Sequence, residues 1–379
     1  MTLACLRNWR ESGHINITEN LYEDSRNWTS LSADSPSRLN SATADVLIDD
    51  LCFDKCGERL FAGTAEGTIE VFLPSRNSSS FYSIQTPHDD SITSVKLLGS
   101  NKLVTCSQDD GTIALIDNLT DFQVLHRFDD AINQLDCSEI EPFVFYSAGG
   151  DGSLYMYDIR SGDSSRQIEL CSFYGQEILN TVSVAQYRPE LIAIGGHQPF
   201  LWLLDRRRLP SIAPAVAQFM PVELTSDYPS VFSNVGIDPY GSMLCGSLQD
   251  GDSFLFETSA GVTEYTSSVD FIESSPVSVS SMRSETTAVY TTEIGRFKSC
   301  GSLKTNCFLG PLGKHLAIST DEGSYEIWSL PKKEKIFTSK RADIDSIRCL
   351  VSHPKQFSLV TAGSDSGFKI WTSYRKIIE

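Results

Sequence analysis

Seven times along the chain one pattern returns. An apolar run ends in small residues, a turn with a Gly and usually an acid follows, and a second apolar run begins. The copies read "LFAGTAEGTIEVF", "LVTCSQDDGTIALI", "FYSAGGDGSLYMY", "LIAIGGHQPFLWLL", "MLCGSLQDGDSFLF", "LAISTDEGSYEIW" and "LVTAGSDSGFKIW". The turn glycines are Gly67, Gly111, Gly152, Gly251, Gly323 and Gly367, with Pro199 in the fourth slot; successive turns lie 44, 41, 47, 52, 72 and 44 residues apart. Asp-Gly or Glu-Gly between two apolar runs signals a tight hairpin, because Gly accepts the left-handed backbone such a turn needs. Upstream of each copy lies another short strand-like run: "IDDLCF", "SITSVKLL", "INQLDC", "NTVSVAQY", "VFSNVGID", "KTNCFLG" and "DSIRCLVSH".

Four short strands recurring at about 40–45 residues are the signature of a WD-repeat β-propeller. A single blade cannot bury both its faces, whereas a ring buries each blade against the next. The expected fold is all-β, a seven-bladed WD-repeat β-propeller over residues 21–373. The last copy ends at Trp371, so the missing outer strand is expected from around Leu21–Leu31 ("LYEDSRNWTSL"), which would pair the two ends and remove an open sheet edge. Residues 1–20 are expected to form an N-terminal segment with a short helix, and 374–379 a C-terminal tail. Two insertions stretch the spacing, at Arg208–Pro229 and at Glu257–Ser302. The second, rich in Ser, Thr and Glu, must supply the outer strand of the fifth blade; its remainder reads as a mobile loop.

Composition narrows the function classes. Lys and Arg total 31 against 49 Asp and Glu, a formal net charge of -18. A chain this acidic repels phosphate, so neither direct nucleic-acid binding nor an anionic membrane is expected, while basic patches on partner proteins suit it. No stretch approaches the roughly 18–20 apolar residues of a membrane span. The start, "MTLACLRNWRESG", is interrupted by Arg7 and Arg10 and does not read as a secretory leader. The ten cysteines are scattered, and Cys52 and Cys56 form a C-x3-C with no second pair, so no metal site is expected. Thiols inside apolar runs act as small hydrophobes. Reduced cysteines fit the nucleus and/or cytoplasm, where the sequons at Asn16, Asn27, Asn77 and Asn118 would carry no glycan.

No catalytic motif is present: no H-E-x-x-H, Walker loop, G-x-G-x-x-G or G-x-S-x-G. The expectation is a protein that is not an enzyme, with no catalytic residue and no cofactor. Asp110, Asp151, Asp250 and Glu322 recur at turn phase and are assigned to turn hydrogen bonding. His353, in "SHPKQ", is assigned a structural role.

One feature exceeds what a repeat requires. "LYMYDIRSG" and "LWLLDRRRLP" end the third strands of blades three and four in Asp-x-Arg: Asp158 with Arg160, and Asp205 with Arg207. An Asp at this phase is ordinary in such repeats. An Arg two residues on is less so, and a planar guanidinium prefers bidentate acceptors. Two Arg residues held by their own Asp partners on one rim would make an interface anchor. The run Arg206–Arg208 leaves the phase of the second box open.

The paired boxes resemble those of the WD-repeat substrate receptors of cullin-4 RING ubiquitin ligases, the damaged-DNA-binding-protein and cullin-4 associated factors. "LGPLGKHLAISTDEGSYEIW" and "CLVSHPKQFSLVTAGSDSGFKIW" are similar to that family's last two blades, and "MLCGSLQDGDSFLFE" and "LRNWRESG" to its branch of associated factors five, six and eight. Tyr157 and Leu204 stand where the family usually has Trp. The resemblance implies that Arg160 and Arg207 contact the ligase adaptor, that Asp158 and Asp205 hold them, and that a helix around Leu3–Trp9 inserts into it. It implies a non-catalytic receptor that presents an unknown protein substrate. The competing expectation is a general WD-repeat scaffold in a chromatin, RNA-processing or trafficking complex. The sequence assigns neither an oligomeric state nor a substrate.

Overall fold

The computed structural model describes residues 31–33, 47–74, 82–160, 167–172, 178–208, 215–221, 231–249, 251–258, 289–290, 295–297, 305–320, 323–339, 342–365 and 367–373. These form seven sheets, each built around three consecutive antiparallel strands. Blade 1 comprises Ile48–Phe53, Leu60–Thr64, Thr68–Phe72 and Tyr82–Gln85. Blade 3 comprises Ile132–Cys137, Val144–Gly149, Ser153–Asp158 and Gln167–Ser172. Blade 4 comprises Leu179–Val184, Leu191–Gly196, Leu201–Asp205 and Ala215–Phe219. The first strands of the other blades are Ile92–Leu98, Phe232–Ile237, Asn306–Leu309 and Ile347–Ser352. Each first strand touches its counterparts on both neighbouring blades, blade 7 meeting blade 1, so the ring is closed.

The burial explains why the runs are continuously apolar and do not alternate. Val144–Gly149, Leu191–Gly196 and Ser358–Gly363 are buried at every position, because a blade is packed on both faces. Seven apolar clusters each lie at the boundary of two consecutive blades. Between blades 3 and 4, for instance, Tyr146 and Leu154 meet Val182, Ile194, Trp202 and Leu204.

The turn acids are where hairpin chemistry needs them. Asp110 Oδ1 accepts the Thr112 amide at 2.8 Å, and its Oδ2 lies 3.1 Å from His88 Nδ1; His88 Nε2 meets Thr105 Oγ1 at 2.9 Å. Asp151 accepts the Ser153 amide and the Tyr155 hydroxyl at 2.9 and 2.5 Å. Asp250 and Glu322 lie outside the described residues, as do the Leu3–Trp9 helix and residues 259–288 of the second insertion. Gly67, Gly111, Gly152, Gly323 and Gly367 have positive φ as expected, but Gly251 is not among them. There the requirement is space: a Cβ would stand 2.9 Å from Leu248 Cβ.

The ring closes through an N-terminal strand, slightly later than expected. Leu31–Ala33 pairs antiparallel with the last strand, Leu31 opposite Ser373 and Ala33 opposite Trp371. An outer strand needs no apolar run, so "LSA" serves; residues 21–30 of the expected segment lie outside the described residues. The second insertion supplies Gly295–Phe297 as the outer strand of blade 5, as expected. It also supplies Val289–Tyr290, parallel to Ala215–Phe219, giving blade 4 a fifth strand that the sequence did not signal.

A second closure lies on the inside. His353 of blade 7 is buried, with Nε2 3.1 Å from the Gly57 carbonyl of blade 1, while Nδ1 accepts the amides of Lys355 and Gln356 at 3.0 and 2.9 Å. Two N–H donors at Nδ1 and a carbonyl at Nε2 fix the neutral tautomer protonated on Nε2. The structural assignment of His353 is thus a latch across the seam.

Candidate functional site

Both Asp-x-Arg boxes fall at one register. Asp158 and Asp205 are the last residues of their third strands, opposite Val144 and Leu191, the first residues of the second strands. The next residue then repeats one bond: Ile159 N donates to Phe143 O at 3.0 Å, and Arg206 N to Glu190 O at 2.8 Å. Blades 3 and 4 are neighbours, so the boxes share one rim.

Within each box the geometry is the same. The Arg160 amide donates to Asp158 Oδ1 at 3.0 Å, and its Nε to Oδ1 and Oδ2 at 2.9 and 3.2 Å. Arg207 repeats this toward Asp205 with the same three distances, 3.0, 2.9 and 3.2 Å. In both, Nη2 completes the fork on Oδ2. The carboxylate fixes the Arg backbone and side chain together, and each Arg is held in its charged form chiefly by hydrogen bonds to its own Asp. Both arginines remain largely exposed: the side chains are 61% exposed for Arg160 and 65% for Arg207.

The corresponding strand ends elsewhere lack this. Blades 2, 5 and 6 place Asp117, Glu257 and Ser329 at that register, followed two residues on by Leu119, Ser259 and Pro331. Asp117 instead pairs with Lys102 of its own blade. The missing Trp of each box is explained by packing. Tyr157 is buried and stacks on Phe145, centroids 4.6 Å apart at 6°, and Leu204 is fully buried in the cluster between blades 3 and 4. The slot requires an apolar plug, and both residues provide one.

The arginine run resolves into opposite roles. Arg207 points out, whereas Arg206, 25% exposed, turns back to Glu141 of blade 3 and to the Tyr146 hydroxyl. Two residues that the sequence reading missed also join the rim. Phe143 is an exposed aromatic with the Arg160 guanidinium 5.7 Å from its ring centroid, and Glu141 lies between the boxes. The signal for Phe143 was its place just ahead of an apolar strand, where a polar residue would have been unremarkable.

The central channel is the other place where chemistry could gather. Polar side chains on the described inner strands tie neighbouring blades together. Asp50 Oδ2 accepts the Val95 amide at 2.9 Å and Ser94 Oγ at 3.0 Å; Gln134 Oε1 accepts the Val182 amide at 2.9 Å; Asp136 Oδ2 accepts the Val184 amide at 2.7 Å. Lys96 stands 3.6 Å from Asp50. Burial disfavours its charge, but the Asp50 and Asp136 carboxylates outweigh this and hold it protonated. Burial lifts the neighbouring thiols of Cys52 and Cys307 to about 11, so they are not nucleophiles near neutrality. Among the described residues no group of His, Cys, Asp or Glu is arranged to hold a metal.

The fold is that of a WD-repeat β-propeller, with two Asp-clamped, largely exposed arginines on one rim. The comparisons agree with that class. The family model "WD domain, G-beta repeat" matches residues 80–117, which span the His88–Thr105–Asp110 network. The chain is similar to WD and tetratricopeptide repeats protein 1 of Homo sapiens, 26% identical over 171 residues, which cover 43% of this chain and 25% of that protein.

Proposed function

We propose that this protein is a non-catalytic substrate receptor of a cullin-4 RING ubiquitin ligase, acting in the nucleus or cytoplasm. It docks the ligase adaptor through Arg160 and Arg207 and presents a protein substrate for ubiquitination. As a WD-repeat propeller it is a protein-interaction module. The more specific reading is supported above all by the repeated geometry of the boxes: two guanidinium groups on adjacent blades, each clamped by its own Asp and each mostly exposed. An Arg fixed in advance loses little conformational freedom on binding, which suits it to anchor an interface.

The test is co-precipitation of the cullin-4 adaptor from cells by the tagged full-length chain, beside Arg160→Ala/Arg207→Ala. Exposed substitutions cost about 0.5 kcal/mol or less, so the double variant should melt as the wild type does. Wild-type binding that the folded variant loses supports adaptor docking. Equal binding by both, or by neither, removes that role from the boxes and leaves a general scaffold as the better reading.

A further inference from the structure

The two anchors sit on different blades, and blades are separate sheets. Something must set the distance between them. Arg206 lies in the chain between Asp205 and Arg207, and its side chain crosses the blade boundary. Nη2 donates to Glu141 Oε1 at 2.7 Å, and Nη1 donates to the other Glu141 oxygen and to the Tyr146 hydroxyl at 2.9 Å. Burial raises the Tyr146 hydroxyl to about 12, so it stays neutral beside the cation. Glu141 in turn is two residues from Phe143, whose carbonyl receives the Ile159 amide and whose ring lies beneath Arg160. From one anchor to the other the path runs Arg160, Phe143, Pro142, Glu141, Arg206, Arg207. Between Arg160 and Phe143 the link is a ring contact, and between Glu141 and Arg206 a bidentate ion pair; the rest is covalent.

We infer that the Glu141–Arg206 pair is a positioning device that fixes the spacing of Arg160 and Arg207 across the blade boundary, with Phe143 as the apolar floor of the same docking surface. This rests on the docking function proposed above. Two forks that must engage one rigid partner at once bind more weakly when their separation fluctuates, because that freedom is lost on binding. A bidentate Arg–carboxylate pair is the strong, directional kind of contact that can restrict it. The pair is not what holds the blades together. The apolar cluster of Tyr146, Leu154, Val182, Ile194 and Trp202 does that beneath it, and a partly exposed ion pair adds little to global stability. Position and stability can therefore be separated.

The experiment measures affinity of the full-length chain for purified cullin-4 adaptor, with a thermal melt of each variant. Arg206→Gln and Glu141→Gln should still melt in one cooperative transition, since the apolar cluster beneath the pair is untouched, yet bind about tenfold more weakly. The exchange Glu141→Arg/Arg206→Glu should recover most of the loss. A merely structural pair would not alter the coupling between the anchors, so Arg160→Ala and Arg207→Ala are also combined in both backgrounds. Their effects should be strongly non-additive in wild type and closer to additive in Arg206→Gln. If Arg206→Gln binds as wild type while Arg160→Ala/Arg207→Ala does not, positioning is overturned and adaptor docking stands. If wild type itself does not bind, docking fails, and amide exchange decides the geometric claim: Arg206→Gln should speed exchange at residues 141–146 and 205–208 and leave blades 1 and 6 unchanged. Unchanged exchange there would overturn it.

Discussion

The latch across the seam lends itself to a quantitative test through Gly57→Ala. Gly57 has φ +75°, and a Cβ there would overlap Cε1 and Nε2 of His353 and stand 2.9 Å from Nδ1. An L-residue in the left-handed region costs about 1–2 kcal/mol. The imidazole must also leave its place. It gives up the bond to the Gly57 carbonyl, its two accepted amide bonds and its packing on Phe53 at 4.9 Å. Net losses of about 0.5–1.5 kcal/mol per hydrogen bond, softened because the Lys355 and Gln356 amides are near solvent, add about 2–3 kcal/mol. The total is about 3–5 kcal/mol. With an unfolding entropy near 2.1 cal/mol/K per residue over 379 residues, Tm should fall by about 4–6 °C. Gly99→Ala is the control: Gly99 has φ +65°, but the nearest atom to its Cβ would be 3.8 Å away. It bears the backbone cost alone, about 1–2 °C. Differential scanning calorimetry of the two variants decides. Equal melting temperatures would refute the claim that the His353 ring, and not backbone conformation, makes Gly57 necessary.

Two further outcomes follow from the buried titratable groups. His353 and His88 are both held below the usual imidazole value, chiefly by burial, so the unfolded chain takes up their protons first. Their contribution to stability is complete above about pH 6.5 and is lost as pH falls toward and through their folded values; Tm should drop on acidification from pH 7 to 5, and a flat profile would contradict the neutral latch. The described thiols should divide by burial. At pH 8 in native protein an alkylating reagent should modify exposed Cys56 and spare Cys52, Cys106, Cys245, Cys307 and Cys349 until denaturant is added, as peptide mass mapping would read.

The fold was readable because the repeat is written in physics the sequence cannot hide. A blade packed on both faces needs unbroken apolar runs, and the hairpin between them usually takes an acid and a glycine. Seven copies of that grammar count the blades. What escaped was the part that obeys weaker constraints. An outer strand has one free edge and no apolar requirement, so the closing strand at Leu31–Ala33 and the parallel addition at Val289–Tyr290 left little trace. Gly251 reads like its counterparts but serves space and not φ, a distinction that composition cannot carry.

The boxes show the same division at the level of single side chains. Their spacing was legible, because a strand end fixes where an i, i+2 pair can fold back on itself, but the phase of the second box stayed open. Three consecutive arginines, by contrast, are chemically identical, and only the third dimension assigns them different work. Arg206 and Arg207 project in opposite directions from adjacent positions. One meets the blade 3 carboxylate of Glu141, and the other keeps its face in solvent while Asp205 holds its edge. Glu141 lies 65 residues upstream of Arg206, a separation that corresponds to no repeat spacing, so nothing in the periodicity links the two. A repeat protein advertises what every blade shares. What one pair of neighbouring blades does together resides in contacts the repeat does not encode, and there an individual function has room to arise.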